Sequence, residues 1–224
     1  MTTPTADLPP AADQTPNTEP NRARRRSGRM RVLAVVAAVV VGIAFAFLAI
    51  RTVGPHLYAG TVLQGDTPAP ALEGLVRADG SSVDLADYEG DVLMVFFGYA
   101  NCPDVCPTTM ATAAQAMDSL SAEDRDRTRL LMVSVDPSRD TAEYLETFTS
   151  FFHPNFSGAT GPVEAIDSAA SQYGIFYQLG EGEDYTVDHT ASLMGIAPDG
   201  VLRIVWPPEV TAEQLAGDIA ELLG

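Results

Sequence analysis

Residues 92–120 leave the chain the least freedom in what it can fold into. Residues 92–97, Val-Leu-Met-Val-Phe-Phe, are apolar without a break. A run with no polar face suits a strand covered on both sides of a sheet. Residues 109–120 change period and place Met110, Ala113, Ala114 and Met117 on one helical face. Between strand and helix lie the only two cysteines of the chain, Cys102 and Cys106, with three residues between them and a proline after each. Pro107 suits the first position of the helix, where its missing N–H has no acceptor to lose. Cys106 is then expected at the helix cap, where unpaired N–H groups and the helix dipole favour a thiolate. Two ionisable sulfurs on one loop can hold a soft metal, close a disulfide, or do both.

The rest of the chain supplies partners for that strand. Residues 71–76 and 82–85 flank Asp79-Gly80 and predict a short hairpin. Residues 130–135 predict a second buried strand, broken by Asp136-Pro137-Ser138-Arg139-Asp140. Helices are expected over 141–152 and 163–173, with an extended segment at 174–179. Residues 192–196 and 201–206 flank Pro198-Asp199-Gly200 and predict another hairpin. A final helix over 211–223 has capping-box spacing at Thr211 and Gln214. Strand, helix, strand, helix, hairpin, helix, joined by right-handed crossovers, is a thioredoxin-like α/β fold. Loops at the carboxyl ends of its parallel strands converge on one site. The thiol loop is one of these and the 136–140 loop is the next.

Ahead of this domain, residues 32–50 run without charge or proline and end at Arg51. That length suits a helix crossing a bilayer. A cleaved signal peptide is the alternative, but the leader is long and no small-residue cleavage site follows. Arg22, Arg24, Arg25, Arg26, Arg29 and Arg31 precede the run, which predicts a cytoplasmic amino terminus and an extracytoplasmic domain. The expected organisation is a disordered basic tail (1–31), a transmembrane anchor (32–50), a linker (51–66) and the thioredoxin-like domain (67–224). The chain is acidic overall, at −17, and its 13 basic residues are all arginine. Having no lysine, it has no Schiff-base or P-loop lysine. Seven arginines and three acids lie in residues 1–51, and six arginines and 27 acids follow, so the outer part carries −21. Such a surface disfavours nucleic acid and anionic membranes.

Two thiols leave a metal site incomplete, and the chain has three histidines. His56 follows the expected anchor. His153 stands at a helix end and is expected to cap it. His189, between Asp188 and Thr190, precedes the second hairpin and is expected to face the thiol loop. Two thiolates and an imidazole suit copper, whereas structural zinc prefers a fourth protein ligand. A structural disulfide is the competing reading of Cys102 and Cys106, but a loop so short gains little from closure. Thiol–disulfide exchange is another, although thioredoxin-type sites have two residues between the cysteines. Met94, Met110, Met117, Met132 and Met194 are expected in the core. Asp104, Asp136 and Asp140 are expected to cap helices and turns.

Three motifs in order, residues 97–107, 133–141 and 187–191, resemble the Sco/SenC family, as do the single anchor and Asp87-Tyr88-Glu89-Gly90. The resemblance covers residues 67–223. It implies a copper-binding domain with a thioredoxin-like fold that helps assemble the dinuclear CuA centre of cytochrome c oxidase. The ligands it implies are Cys102, Cys106 and His189, and the cargo is Cu(I) or Cu(II). The partners it implies are a copper-receiving oxidase subunit and a copper donor protein, not nucleic acid. Two alternatives accompany the chaperone reading: a thiol–disulfide reductase acting on the CuA-site cysteines, and a redox sensor.

Overall fold

The computed structural model describes the backbone of residues 22–53, 56–182 and 184–224, with side chains from 31–47, 56–182 and 184–224. The chain divides into two compact units, Met1–Pro55 and His56–Gly224.

In the first unit α1 (Arg22–Val53) is continuous and contains the apolar run. Its described side chains, 31–47, are all exposed. Among the described residues no helix is long and apolar enough to cross a membrane. The side chains of residues 48–50, the end of the expected span, fall outside the described set, as do residues 1–21 of the disordered tail expected over 1–31, whereas residues 22–31 of that tail belong to α1.

The second unit is a mixed α/β fold of the expected thioredoxin-like kind. It begins with a short edge strand, β1 (Thr61–Val62). The central strand β2 (Val92–Gly98) is buried at every position, as its unbroken apolar run requires. It leads into α2 (Val105–Ser119), and a single turn, α3 (Ala122–Asp126), precedes β3 (Thr128–Ser134). Next come α4 (Ala142–Phe152), β4 (Phe156–Ala159) and α5 (Val163–Gln172). Two short strands follow, β5 (Tyr177–Leu179) and β6 (Val187–His189). The hairpin β7 (Leu193–Ile196) and β8 (Leu202–Trp206) and the capped helix α6 (Ala212–Leu223) complete the unit.

The main sheet has the order β1-β8-β7-β2-β3-β4. β2, β3 and β4 are parallel, with Val92 opposite Thr128 and Gly98 opposite Ser134. That register ends β2 and β3 side by side, so the loops that follow them are neighbours. β7 runs antiparallel to β2, and β5–β6 form a separate antiparallel ribbon. The five methionines expected in the core are all buried. His153 caps α4 as expected.

Several elements differ from the sequence reading. The first hairpin is reduced to a Val76–Ser82 bridge around a turn with Gly80 at φ +78°. Val76 also bridges Thr160, which draws the segment toward the chain after β4. Residues 85–88 are instead a 3-10 turn, its N–H at Ala86 donating to Asp84 Oδ1 at 2.9 Å. β4 was not expected: Pro154, Gly158 and Gly161 give its neighbourhood the composition of a loop. α2 starts at Val105, so Pro107 is its third residue and not its first. The substitution of position costs nothing, because N–H groups throughout the first turn lack helical acceptors.

Residues 56–62 are built into this unit. The Asp218 side chain on α6 is 1% exposed and binds His56 Nε2 at 2.6 Å through Oδ1. Its Oδ2 accepts from the N–H groups of Ala59 (3.0 Å) and Gly60 (3.2 Å) and from Trp206 Nε1 (2.8 Å). A buried carboxylate is tolerable only with donors of this number. Here they tie the start of the unit to its last strand and last helix.

Candidate metal centre

The site grows from the end of β2. A Cβ at Gly98 would lie 2.6 Å from the Phe96 ring and 3.0 Å from the Cys106 sulfur, so glycine leaves room for both the packed ring and the thiol. The loop is then tied to the one after β3. Val135 N–H donates to the Gly98 carbonyl at 2.9 Å. Ala100 N–H donates to Asp140 Oδ2 at 3.0 Å, and the Ser134 hydroxyl donates to the same oxygen at 2.7 Å. Asp140 is fully buried, and burial, opposed by these two donors, raises its carboxyl above the usual range.

The two thiols are unequal. Cys102, before the helix, is half-buried, and Cys106, on the first turn of α2, is fully buried. No disulfide joins them. The Cys106 N–H donates to Cys102 Sγ at 3.4 Å. Burial by itself would raise the Cys102 thiol, but the N–H groups of Cys106 and Asp104 aimed at its sulfur outweigh it and hold the thiol below its ordinary value. Burial pushes the Cys106 thiol far up, and the neighbouring Cys102 and Asp140 add to the rise. The helix N-terminus therefore favours a thiolate as expected, but on Cys102 and not on Cys106. Cys106 is part of the helix and turned inward, where desolvation dominates.

His189 ends β6 and is half-buried. Its Nδ1 lies 3.2 Å from the Thr190 carbonyl oxygen and its Nε2 lies 3.5 Å from Cys106 Sγ. A carbonyl only accepts, so Nδ1 carries the proton and the Nε2 lone pair faces the sulfur. Burial pulls the imidazole below its ordinary value, against the opposing effect of the Thr190 and Phe97 backbone and of Asp188. Phe96 and Tyr99 pack edge-on to the ring, with centroids 6.0 and 5.9 Å away.

Cys102, Cys106 and His189 thus converge, with their ligand atoms all within 4.8 Å of one another. The sulfur of Cys102 opens onto a cleft lined by Pro103, Asp104, Val105 and Asp188. Among the described residues this cluster contains two sulfurs, one nitrogen and no carboxylate. That donor set favours a soft or borderline ion, and three ligands leave a position open for an incoming group.

The other two histidines lie elsewhere. His56 is bound to Asp218, and His153 Nδ1 accepts from Asn155 N–H at 3.1 Å. Asp104 holds the N-cap position of α2 without a side-chain bond. Asp136 and Asp140 do more than cap turns: the first pairs with Arg139 and the second anchors the thiol loop. The sequence reading assigned no role to Gly98 or Tyr99, and missed the anchoring by Asp140. Its partner Ala100 is 40 residues away, so no spacing signals it.

The family model described as SCO1/SenC matches residues 74–224. The mitochondrial "Protein SCO2 homolog" of Bos taurus is 31% identical over 204 residues, covering 85% of this chain and 74% of that one. The solution structure of apo Sco1 from Thermus thermophilus is 35% identical, with a TM-score of 0.68 over 76% of this chain and 99% of that one. The crystal structure of Arabidopsis thaliana ScoI with copper bound is 27% identical, with a TM-score of 0.62 over 74% of this chain and 98% of that one.

Proposed function

Because the chain belongs to the SCO1/SenC family, we propose that it is a copper chaperone that binds the metal through Cys102, Cys106 and His189 and helps assemble the CuA centre of cytochrome c oxidase. The observation that carries this reading is the convergence of two sulfurs and one imidazole nitrogen within 4.8 Å. Copper is the cargo. Two thiolates are enough for Cu(I), and the imidazole adds the nitrogen that Cu(II) prefers. A site with an open position lets a thiol of a receiving protein attack the metal before the original ligands leave. The apolar part of α1 is the proposed anchor, with its arginine-rich end in the cytoplasm and the thiol domain outside. Its partners are then an oxidase subunit that receives copper and a protein that donates it.

Copper titration of the full-length protein tests the ligand set. One copper per chain is expected. Cys102→Ala and Cys106→Ala abolish tight Cu(I) binding, because a single thiolate cannot chelate. His189→Ala weakens Cu(II) far more than Cu(I). If either cysteine variant holds Cu(I) as tightly as the wild type, the site is wrong. Mixing the loaded protein with an apo oxidase subunit then follows the metal directly.

The inequality of the thiols favours a second reading, reduction of the CuA-site cysteines. An accessible thiol of lowered pKa beside a buried one suits attack followed by resolution. His189→Ala separates the two, since thiol exchange needs no imidazole and Cu(II) binding does.

A further inference from the structure

The imidazole and the two thiols are positioned by different parts of the fold. Cys102 and Cys106 follow the central strand of the main sheet. His189 sits on the β5–β6 ribbon, which pairs with no strand of that sheet. No strand pairing joins His189 to the thiol loop directly; the chain tethers it through residues 190–192 to Leu193, opposite Phe96, and side-chain contacts supply the remaining ties.

The ties are specific. Val187 N–H, two residues before the histidine, donates to the Tyr99 hydroxyl oxygen at 3.2 Å. Tyr185, two residues earlier again, is caught by the loop after β3. The Arg139 guanidinium lies over its ring, 3.7 Å from the centroid. Arg139 Nη1 donates to the Tyr185 carbonyl at 2.9 Å. The guanidinium also pairs through Nε with Asp136 Oδ2, and the Tyr185 hydroxyl donates to Asp136 Oδ1 at 2.6 Å. Asp136 is fully buried and the Arg139 side chain is 24% exposed. Arg139 also lies 5.8 Å from the centre of the Tyr99 ring, which packs against His189 at 83°.

We propose that Arg139 and Tyr185 form a latch that holds the His189 ribbon against the thiol loop, and are positioning residues for the third metal ligand. This rests on the copper-binding reading. A closed latch gives two thiolates and an imidazole, and an open one leaves the two thiolates alone. The site can then gain or lose its nitrogen ligand without disturbing the sulfurs. A planar, stacked and multiply bonded guanidinium is not replaceable by an ammonium group.

The test uses the full-length protein and the variants Arg139→Gln, Arg139→Lys and Tyr185→Leu, with copper as the probe. Hydrogen exchange of the copper-free protein is expected to speed up at Val187 and His189 in each variant, and not in β2 or β3. Cu(II) affinity is expected to fall about 10- to 100-fold, with loss of the nitrogen signature in the Cu(II) EPR spectrum, while Cu(I) affinity holds. Arg139→Lys is expected not to restore the signature. The latch is overturned if Arg139→Gln keeps wild-type exchange and Cu(II) spectrum. It is also overturned if lysine restores both, which would make charge alone the cause. Equal loosening of β2 and β3, or parallel loss of Cu(I), would show general structural damage and overturn it too. Wild-type protein that binds no copper defeats the copper reading instead, and the exchange measurement still decides the latch.

Discussion

Cys102 and Cys106 lie on one loop, yet they face opposite electrostatics. The first N–H groups of a helix point at Cys102, and the core encloses Cys106. Thiolate fraction governs alkylation, so Cys102 reacts first. Its pKa is lowered, so the midpoint of labelling by iodoacetamide falls below that of an unperturbed thiol. Cys106 labels only at higher pH or after unfolding, because its thiol is both raised and covered. Mass spectrometry of the copper-free, reduced protein across a pH series reads both midpoints. Equal rates at the two positions would contradict the assignment. Both the positions and the thiol chemistry were legible from residue spacing near the helix start. Which thiol is activated was not, because that depends on which sulfur turns into the core.

Between elements, one junction gathers several bonds at the buried Asp218. One carboxylate ties the segment before β1 and the end of β8 to α6. Replacing it with alanine leaves donors of two segments, residues 56–60 and the end of β8, without their acceptor. Asp218→Ala is expected to cost about 3–5 kcal/mol, because each buried donor left without its acceptor costs about 1–3 kcal/mol. Urea unfolding of wild type and variant measures it, and a loss below about 1 kcal/mol, the size of a surface pair, would show that the junction is dispensable. Sequence gave no hint of this. In the pattern of α6 position 218 is one more acid on a helix, and His56 is 162 residues away. The latch at Arg139 and Tyr185 is hidden for the same reason, with 46 residues between its halves.

For the whole molecule, charge and hydropathy separate sharply along the chain. The long uncharged apolar run lies in residues 32–50, and −21 of charge lies beyond residue 51. Residues 52–224 made without the first part are expected to be soluble and monomeric, since like charge opposes association. Sedimentation of that fragment without metal checks this, and a stable dimer or aggregate would refute it. A reporter fused after Gly224 tests orientation, with activity expected outside the cytoplasm.

Local signals carried much of this protein in its sequence alone. The unbroken apolar run of β2, the helical period after it, the turn chemistry of the β7–β8 hairpin and the capping box of α6 each depend on neighbours within a few residues. The ordered motifs around Cys102, Cys106 and His189 carried the family. Only tertiary structure decided what distant segments impose on one another. It set the place of β4 beside β3, the separation of the β5–β6 ribbon from the main sheet, and the burial of one thiol and not the other. These follow from desolvation and from side-chain bonds that close across 40 or more residues, and such contacts leave no period and no spacing in the chain.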